Sequence, residues 1–421
     1  MKGFIRISII ILFLGFLSHN VRAEEILAWQ DCIKEAQKNH PDLISAEEKV
    51  KQSEASKKIA ASTLFPQIDS DMSAATAKAT TGVKSDTYSY GVSGSQLLFD
   101  GTKTINDVKA AAENVKAAQY SYKFTSTEVR LSLRTAFINL LKAQELLRIT
   151  EDIYNIRRSN LELITLRYES GLEHKGALLT AEANLAQAEF ESVQATRELE
   201  VAQRQLIKEM GRRQFTPIQV KSDFKIRDAL RQKPDFDALV KNNPTLQKLI
   251  AQKNEAAFGL RASYANFSPT LSGQAGASKT NSYWPPQDDK WNLGLTLSFP
   301  IFEGGLRLAQ VSQAQALLNQ LKADERSTKD SLVVALEQNW AALEDALETV
   351  EVQKKFLTAA EERSKIAEAQ YSLGLINFDN WTIIEDDLVG TKKSYLDTQA
   401  DALLAEANWI QAKGETLEYA D

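Results

Sequence analysis

The side chains able to do covalent or metal chemistry are few and scattered in this 421-residue chain. Three histidines (at 19, 40 and 174) and one cysteine, Cys32, are the whole supply of soft ligands. His19 falls in an N-terminal leader, which leaves His40 at a helix start and His174 at a turn. A structural zinc site gathers four such ligands, usually in closely spaced pairs, and no such pairs exist here. Gly304-Gly305 lacks the downstream Gly-Lys-Ser/Thr of a phosphate-cradling loop. Gly91 and Gly94 lie in a strand-like stretch and read as small residues facing a lumen or a neighbour. Carboxylates are abundant, but most sit in helical segments among Lys and Arg, where solvated i,i+4 pairing is ordinary. His174 could sense pH, although a solvent-exposed turn histidine is the commoner object. The chain therefore offers no catalytic constellation, cofactor cradle or metal site, and it reads as a non-enzyme.

Composition narrows the class further. Lys2 and Arg6 precede an apolar run from Ile7 to Leu17, and Val21-Arg22-Ala23 fits a cleavage site, so residues 1–23 read as a secretory signal peptide. The apolar run is too short for a transmembrane helix, which needs about 20 residues. Removing its three positive charges leaves 47 basic against 56 acidic residues, near −9. That balance argues against nucleic acid. A single cysteine excludes an internal disulfide, so an exported chain of this kind must obtain its rigidity from packing.

What positions these residues is a duplication. Asn39-His40-Pro41 returns as Asn242-Asn243-Pro244, Pro66 as Pro269, and Phe99-Asp100-Gly101 as Phe302-Glu303-Gly304. Tyr168-x-x-Gly171 returns as Tyr371-x-x-Gly374, and Gly211 as Gly414, always 203 positions later. The unit is domain-sized, far longer than a solenoid repeat.

Each copy reads as helix, two alternating segments, a very long helix, a glycine turn and a returning helix. Trp291, Leu293, Leu295, Leu297, Phe299 and Ile301 alternate with Asn292, Gly294, Thr296 and Ser298, which predicts a strand with one apolar face. At about 11 residues it matches a tilted transmembrane β-strand, and its aromatic residues suit a membrane interface. Tyr88, Tyr90 and Val92 share one parity in the first copy. Neither Gly nor Pro occurs between Lys103 and Glu169, or between Leu306 and Leu373. An apolar stripe (Leu332, Leu336, Trp340, Leu343, Leu347, Val350) runs along the second of these stretches. Some 66 helical residues make a rod of roughly 100 Å. The returning helices, Ala177–Met210 and Trp381–Lys413, are about half as long. The short helix before each hairpin supplies the missing length, so two shorter helices should stack beside each rod.

In order, duplication and spacing, these landmarks resemble the TolC family of outer membrane efflux channels. The resemblance rests on the paired Asn-x-Pro starts, Phe65-Pro66 and Pro269, the Phe-Asp/Glu-Gly hairpin ends, and Arg167–Gly171 with Tyr371–Gly374; it covers roughly residues 25–415. It implies a mainly α fold with a small transmembrane β part. Three chains would form a twelve-stranded outer membrane barrel above a twelve-helix periplasmic tunnel. It divides the chain into the signal peptide (1–23), a first repeat (24–211, hairpin about 67–99), an inter-repeat segment near the tunnel equator (212–241), a second repeat (242–414, hairpin about 270–302) and a tail (415–421). It further implies a periplasmic adaptor, an inner membrane pump and outer membrane lipid as partners, and no cofactor. Tyr168, Gly171, Tyr371 and Gly374 would be the adaptor-facing tips, and Trp291, Leu293, Leu295, Leu297 and Phe299 the membrane-facing strand. The acidic ring that such channels place after the second tip would fall on Asp379, Glu385, Asp386 and Asp387, although Asn380 and Ile383 occupy the family's usual positions. The bland reading of Glu385-Asp386-Asp387 is a solvated helix face. The alternative function is a structural periplasmic coiled-coil protein without a pore, which polar outward strand faces would favour.

Overall fold

The computed structural model describes residues 25–78, 80, 82, 84–224 and 233–419. The leader and residues 225–232 of the inter-repeat segment lie outside them. Within the described residues the duplication extends to element ends. Helix α2 (Pro41–Ser62) is answered by α6 (Pro244–Ala265), rod α3 (Lys103–Glu169) by α7 (Leu306–Ser372), and returning helix α4 (Lys175–Glu209) by α8 (Phe378–Ala412). Each of these pairs is offset by 203. The rods have 67 residues each, about 100 Å at 1.5 Å per residue. The returning helices have 35 each, about 52 Å, and begin two to three residues earlier than their sequence pattern suggested.

Local chemistry sets these ends. Pro41 and Pro244 stand at first helical positions, where a missing N–H costs nothing. His40 caps α2 by accepting the Asp42 N–H at Nδ1, and Asn243 caps α6 by accepting the Thr245 N–H. Gly211 and Gly414 follow the returning helices with φ of 76° and 82°, values that a side chain would strain.

Each rod carries two shorter helices end to end, as the lengths required. The surroundings of the two rods differ, however. Rod α3 packs against α2, α4, α6 and α8, whereas α7 packs mainly against its own α6 and α8. The largest apolar cluster lies at the middle of α3. There Leu133, Phe137 and Leu140 meet Cys32 and Ile33 of α1 (Trp29–Asn39), Leu206 of α4 with Met210 just after it, and Leu403 of α8. A second cluster joins Leu336, Trp340 and Leu343 of α7 to Trp409 of α8, the two indoles meeting edge-on at 5.2 Å.

Three short elements were not resolved from the sequence: α1, α5 (Phe236–Asn242) and β1 (Glu25–Leu27), which pairs in parallel with β4 (Ile218–Val220). β4 lies beside mid-α3, where Gln144 exchanges two hydrogen bonds with the Val220 backbone. The C-terminal residues also pack there: Arg130 donates to the Thr416 carbonyl, and the Leu417 N–H to Ser126.

The remaining strands, β2 (Gln67–Lys78), β3 (Lys84–Phe99), β5 (Thr270–Asn281) and β6 (Asp288–Ser298), form one antiparallel sheet in the order β2-β3-β5-β6. Its two hairpins come one from each copy, joined at β3–β5.

Candidate functional site

The sheet is the first surface that packing alone does not explain. Its register collects one parity of every strand on a common face. Trp291 lies opposite Ala277, Leu293 opposite Ala275, and Leu297 opposite Leu271. Ala277 in turn faces Val92, and Tyr90 faces Met72. The other face carries Asp69, Asp71, Ser73, Ser89, Ser93, Gln274, Ser278, Asn292 and Thr296, with the Ser73 and Ser89 hydroxyls 2.8 Å apart. Trp291 is 81% exposed and Leu295 72%, and the strands pack mainly on one another rather than under a helix. Returning five large apolar side chains (Trp291, Leu293, Leu295, Leu297, Phe299) to water forgoes roughly 8–15 kcal/mol of burial. That equals the whole net stability of an ordinary domain, so this face is not built for water. From Trp291 to Leu297 it runs about 20 Å along β6, within the ~25 Å apolar band of outer membrane barrels; Phe299, read from sequence as part of this strand, lies one residue beyond its end. The edges of β2 and β6 are left unpaired. Among the described residues no helix is long and apolar enough to cross a membrane.

The second region is the far end of the rods. Both tips close alike. Gly171 and Gly374 each take φ of 73°, and the Leu172 and Leu375 N–H groups each reach back 2.8 Å to a rod carbonyl, of Arg167 and Gln370 respectively. Only the αL glycine makes that reach available. Each returning helix is then capped from the preceding loop. His174 Nδ1 accepts the Ala177 N–H at 3.1 Å, and Asn377 accepts the Asn380 N–H at 3.0 Å. The two histidines that were the best candidates for chemistry are thus N-caps, standing where the second copy has asparagine. That alignment was the available signal for their role.

The tips differ in their contacts. Tyr168 is partly exposed, but Tyr371 is buried. Its ring stacks on Trp381 at 4.5 Å, the Arg167 guanidinium lies 4.7 Å above it, and its hydroxyl donates to Glu173 at 2.9 Å. Burial, then the neighbouring carboxylate, pushes that phenol well above its usual range. Of the four residues read from sequence as adaptor-facing, Tyr371 therefore presents no surface in this chain; it ties the second tip to the first. The cluster also leaves the Arg167 Nε and the Trp381 indole N–H buried without acceptors.

The acidic candidates separate in the same way. Asp379, in the first turn of α8, is exposed. Glu385 is buried and accepts from the Ser364 hydroxyl of α7. Asp386 pairs with Arg157 of α3, and Asp387 with Arg363 of α7. Within one chain, three of the four are committed to helix–helix contacts. Among the described residues no cluster of His, Cys, Asp or Glu could hold a metal ion.

The sequence model of the outer membrane efflux protein family matches residues 32–212 and 236–418, one copy each. The chain belongs to the outer membrane efflux protein family. The outer membrane efflux protein BepC of Brucella suis is 22% identical over 391 residues, 90% of this chain and 83% of BepC. The outer membrane protein TolC of Escherichia coli is 24% identical over 358 residues, 79% of this chain and 70% of TolC. Among solved structures, CusC superposes with a TM-score of 0.81 at 18% identity, covering 91% of both chains. The open-state outer membrane channel MtrE of Neisseria gonorrhoeae also gives 0.81, at 16% identity, over 92% of this chain and 89% of its own. The chain is thus an outer membrane efflux protein of the TolC type, and the solved structures it resembles include outer membrane channels.

Proposed function

We propose that three copies of this efflux-family chain close into a passive exit duct across the periplasm and outer membrane. Four strands from each copy would make a twelve-stranded barrel, and the rods with their returning helices a twelve-helix tunnel below it. A periplasmic adaptor and an inner membrane pump would hand over the cargo. The observation that carries this reading is the uncovered amphipathic sheet with two open edges. Open edges cannot persist in lipid, because every backbone N–H and C=O there needs a partner, so a spanning sheet of four strands needs further copies to close it. The polar parity would then line the lumen. The reading as a poreless coiled-coil protein has the apolar strand face against it.

The tips are the closable end in this reading. Gly171, Gly374 and the exposed Tyr168 form the surface an adaptor would meet, with Tyr371 locking the second tip behind it. Asp379, Asp386 and Asp387 with Glu385 supply the acidic constriction, the last three becoming free to face the axis only if their intrachain pairs part. Carboxylates repeated around a narrow axis would favour cations. The test is single-channel recording of the purified protein in a planar bilayer. Discrete, seldom-open, cation-preferring steps are expected; a well-folded helical protein that never inserts would sink the proposal.

A further inference from the structure

The open end of the first hairpin carries a pairing that sheets ordinarily avoid. The β2–β3 ladder ends with Lys78 directly opposite Lys84, both exposed. Like charges set directly across two strands repel and cost stability. The two lysines share the face that carries Met72, Tyr88 and Tyr90. Among the described residues of the strands that face holds two carboxylates, and both are engaged elsewhere. Asp86 accepts from the Thr76 hydroxyl at 2.7 Å, and Asp289 pairs with Lys279 at 2.9 Å. Residues 79–83, which join the two strands, are Ala-Thr-Thr-Gly-Val in sequence and bring no carboxylate. Nor does the hairpin architecture call for charge here, since the second copy has Asn281 and Gln287 at the matching positions.

The height of the pair on the sheet points to what answers it. Tyr88 and Tyr90 stand on the same face beyond the row of Val92, Ala277 and Trp291. Trp284, from the turn between β5 and β6, meets both tyrosine rings edge-on, with centroids 6.3 and 6.4 Å away. Trp284 remains 57% exposed. Amphipathic rings gathered at the end of an apolar band mark the level where hydrocarbon gives way to headgroups. Lys84 lies beyond Tyr88 by about 13 Å along the strand, which is about 10 Å in height at a tilt near 40°.

Resting on the duct reading above, we infer that Lys78 and Lys84 clamp the anionic phosphate of a lipid headgroup in the leaflet around the hairpin ends. A phosphate between two ammonium groups replaces their repulsion by charge-assisted hydrogen bonds. The long lysine stems keep to the apolar surface while their charges reach the headgroup layer. The parity of the two lysines decides the occupant. An anion travelling in the lumen would meet the opposite face, where Ala77 and Ser85 stand at this level.

The experiment titrates the full chain, in a neutral detergent, with lipid A, whose headgroup carries phosphate monoesters, and follows Tm. A saturable rise is expected, and zwitterionic phosphatidylcholine should give none. Lys78→Gln with Lys84→Gln should move the midpoint of the rise roughly 25-fold higher, about fivefold for each lysine. Without lipid the same variant should melt no lower than the parent, because the repulsion has gone. Lys290→Gln, on the opposite face, should leave the midpoint in place. Inorganic phosphate that reproduces the rise would make the pair a free-anion site and overturn the lipid assignment. An unchanged midpoint in the double variant overturns the inference and leaves the duct standing. So does a double variant that melts lower than the parent without lipid and gains nothing from it, a result that would give the lysines to a carboxylate of the next copy. A parent protein that forms no channel in phosphatidylcholine bilayers, with or without lipid A, overturns both.

Discussion

The rod of the first repeat is enclosed and that of the second is not. Rod α3 is covered along its length by helices of both copies, while α7 packs mainly against α6 and α8, with α5 beside it. The sheet divides differently: β3 of the first copy and β5 of the second have neighbours on both sides, while β2 and β6, one from each copy, have one each. Two nearly superimposable modules thus expose different amounts of themselves, and the exposed remainder sits at the two ends of the series. Such a series is built to continue into another copy of itself. An isolated domain would instead have capped its terminal faces with polar residues.

The largest expected effect tests how far each copy is self-sufficient. Phe137 and Trp340 occupy equivalent rod positions and are both buried within one chain. Substituting either by alanine should cost about 3–5 kcal/mol in urea unfolding. A cost below about 1 kcal/mol at Trp340 would mean the second core forms only on assembly, and the comparison between repeats would need redrawing.

Next in size is the contrast between the two faces of β6. Leu295→Lys should lose about 2–4 kcal/mol of folding stability in lipid vesicles. Its neighbour Thr296→Lys, on the polar parity, should lose less than about 1 kcal/mol. Equal costs would remove the distinction between lipid and lumen faces.

A smaller effect separates the tips. Tyr371→Phe removes the hydroxyl that donates to Glu173. A net bond of about 1 kcal/mol corresponds to roughly a fivefold rise in open probability in single-channel records. Tyr168→Phe, at the equivalent but exposed tyrosine, should leave the record unchanged.

The caps offer a finer comparison. His40→Asn keeps the cap, as Asn243 does, and should cost less than about 1 kcal/mol, losing only the contact of Nε2 with Glu209 at 3.6 Å; His40→Ala should lower stability by about 1 kcal/mol more. The smallest effect lies at β1, where Arg212 bonds Glu25 and Glu35. Hydrogen bonding to Arg212 holds the Glu25 carboxyl below its usual range. A lowered carboxyl contributes stability that is full above its ordinary pKa and lost as pH falls through its own lower value. Arg212→Met should flatten that acid limb of a stability–pH curve, slightly, since Glu25 is half exposed.

The long-range order was legible because its signals are local and repeated: glycine- and proline-free stretches, alternation at Trp291–Ile301, and landmarks 203 positions apart. Elements made by tertiary contact were not. β1 is three residues long and exists by pairing with β4 across the whole first repeat. Helix α5 is seven residues long, too short for a periodic signal. At the tips, Tyr371 could be found in sequence but its burial could not, since that depends on Trp381, Arg167 and Glu173 together. Likewise Asp386 looked like one more solvated carboxylate, because Arg157, its partner, is 229 positions away.

The length of the rods has a mechanical meaning. About half of each, some 50 Å, extends beyond the mid-rod cluster that ties α1, β4 and the C-terminal residues to α3. A pivot of only about 5° at that cluster would carry each tip sideways by roughly 4 Å over a 50 Å arm. Leverage of this kind would turn a small slackening at the waist into a displacement of several ångströms at the far end, with no helix bending and no strand leaving the sheet.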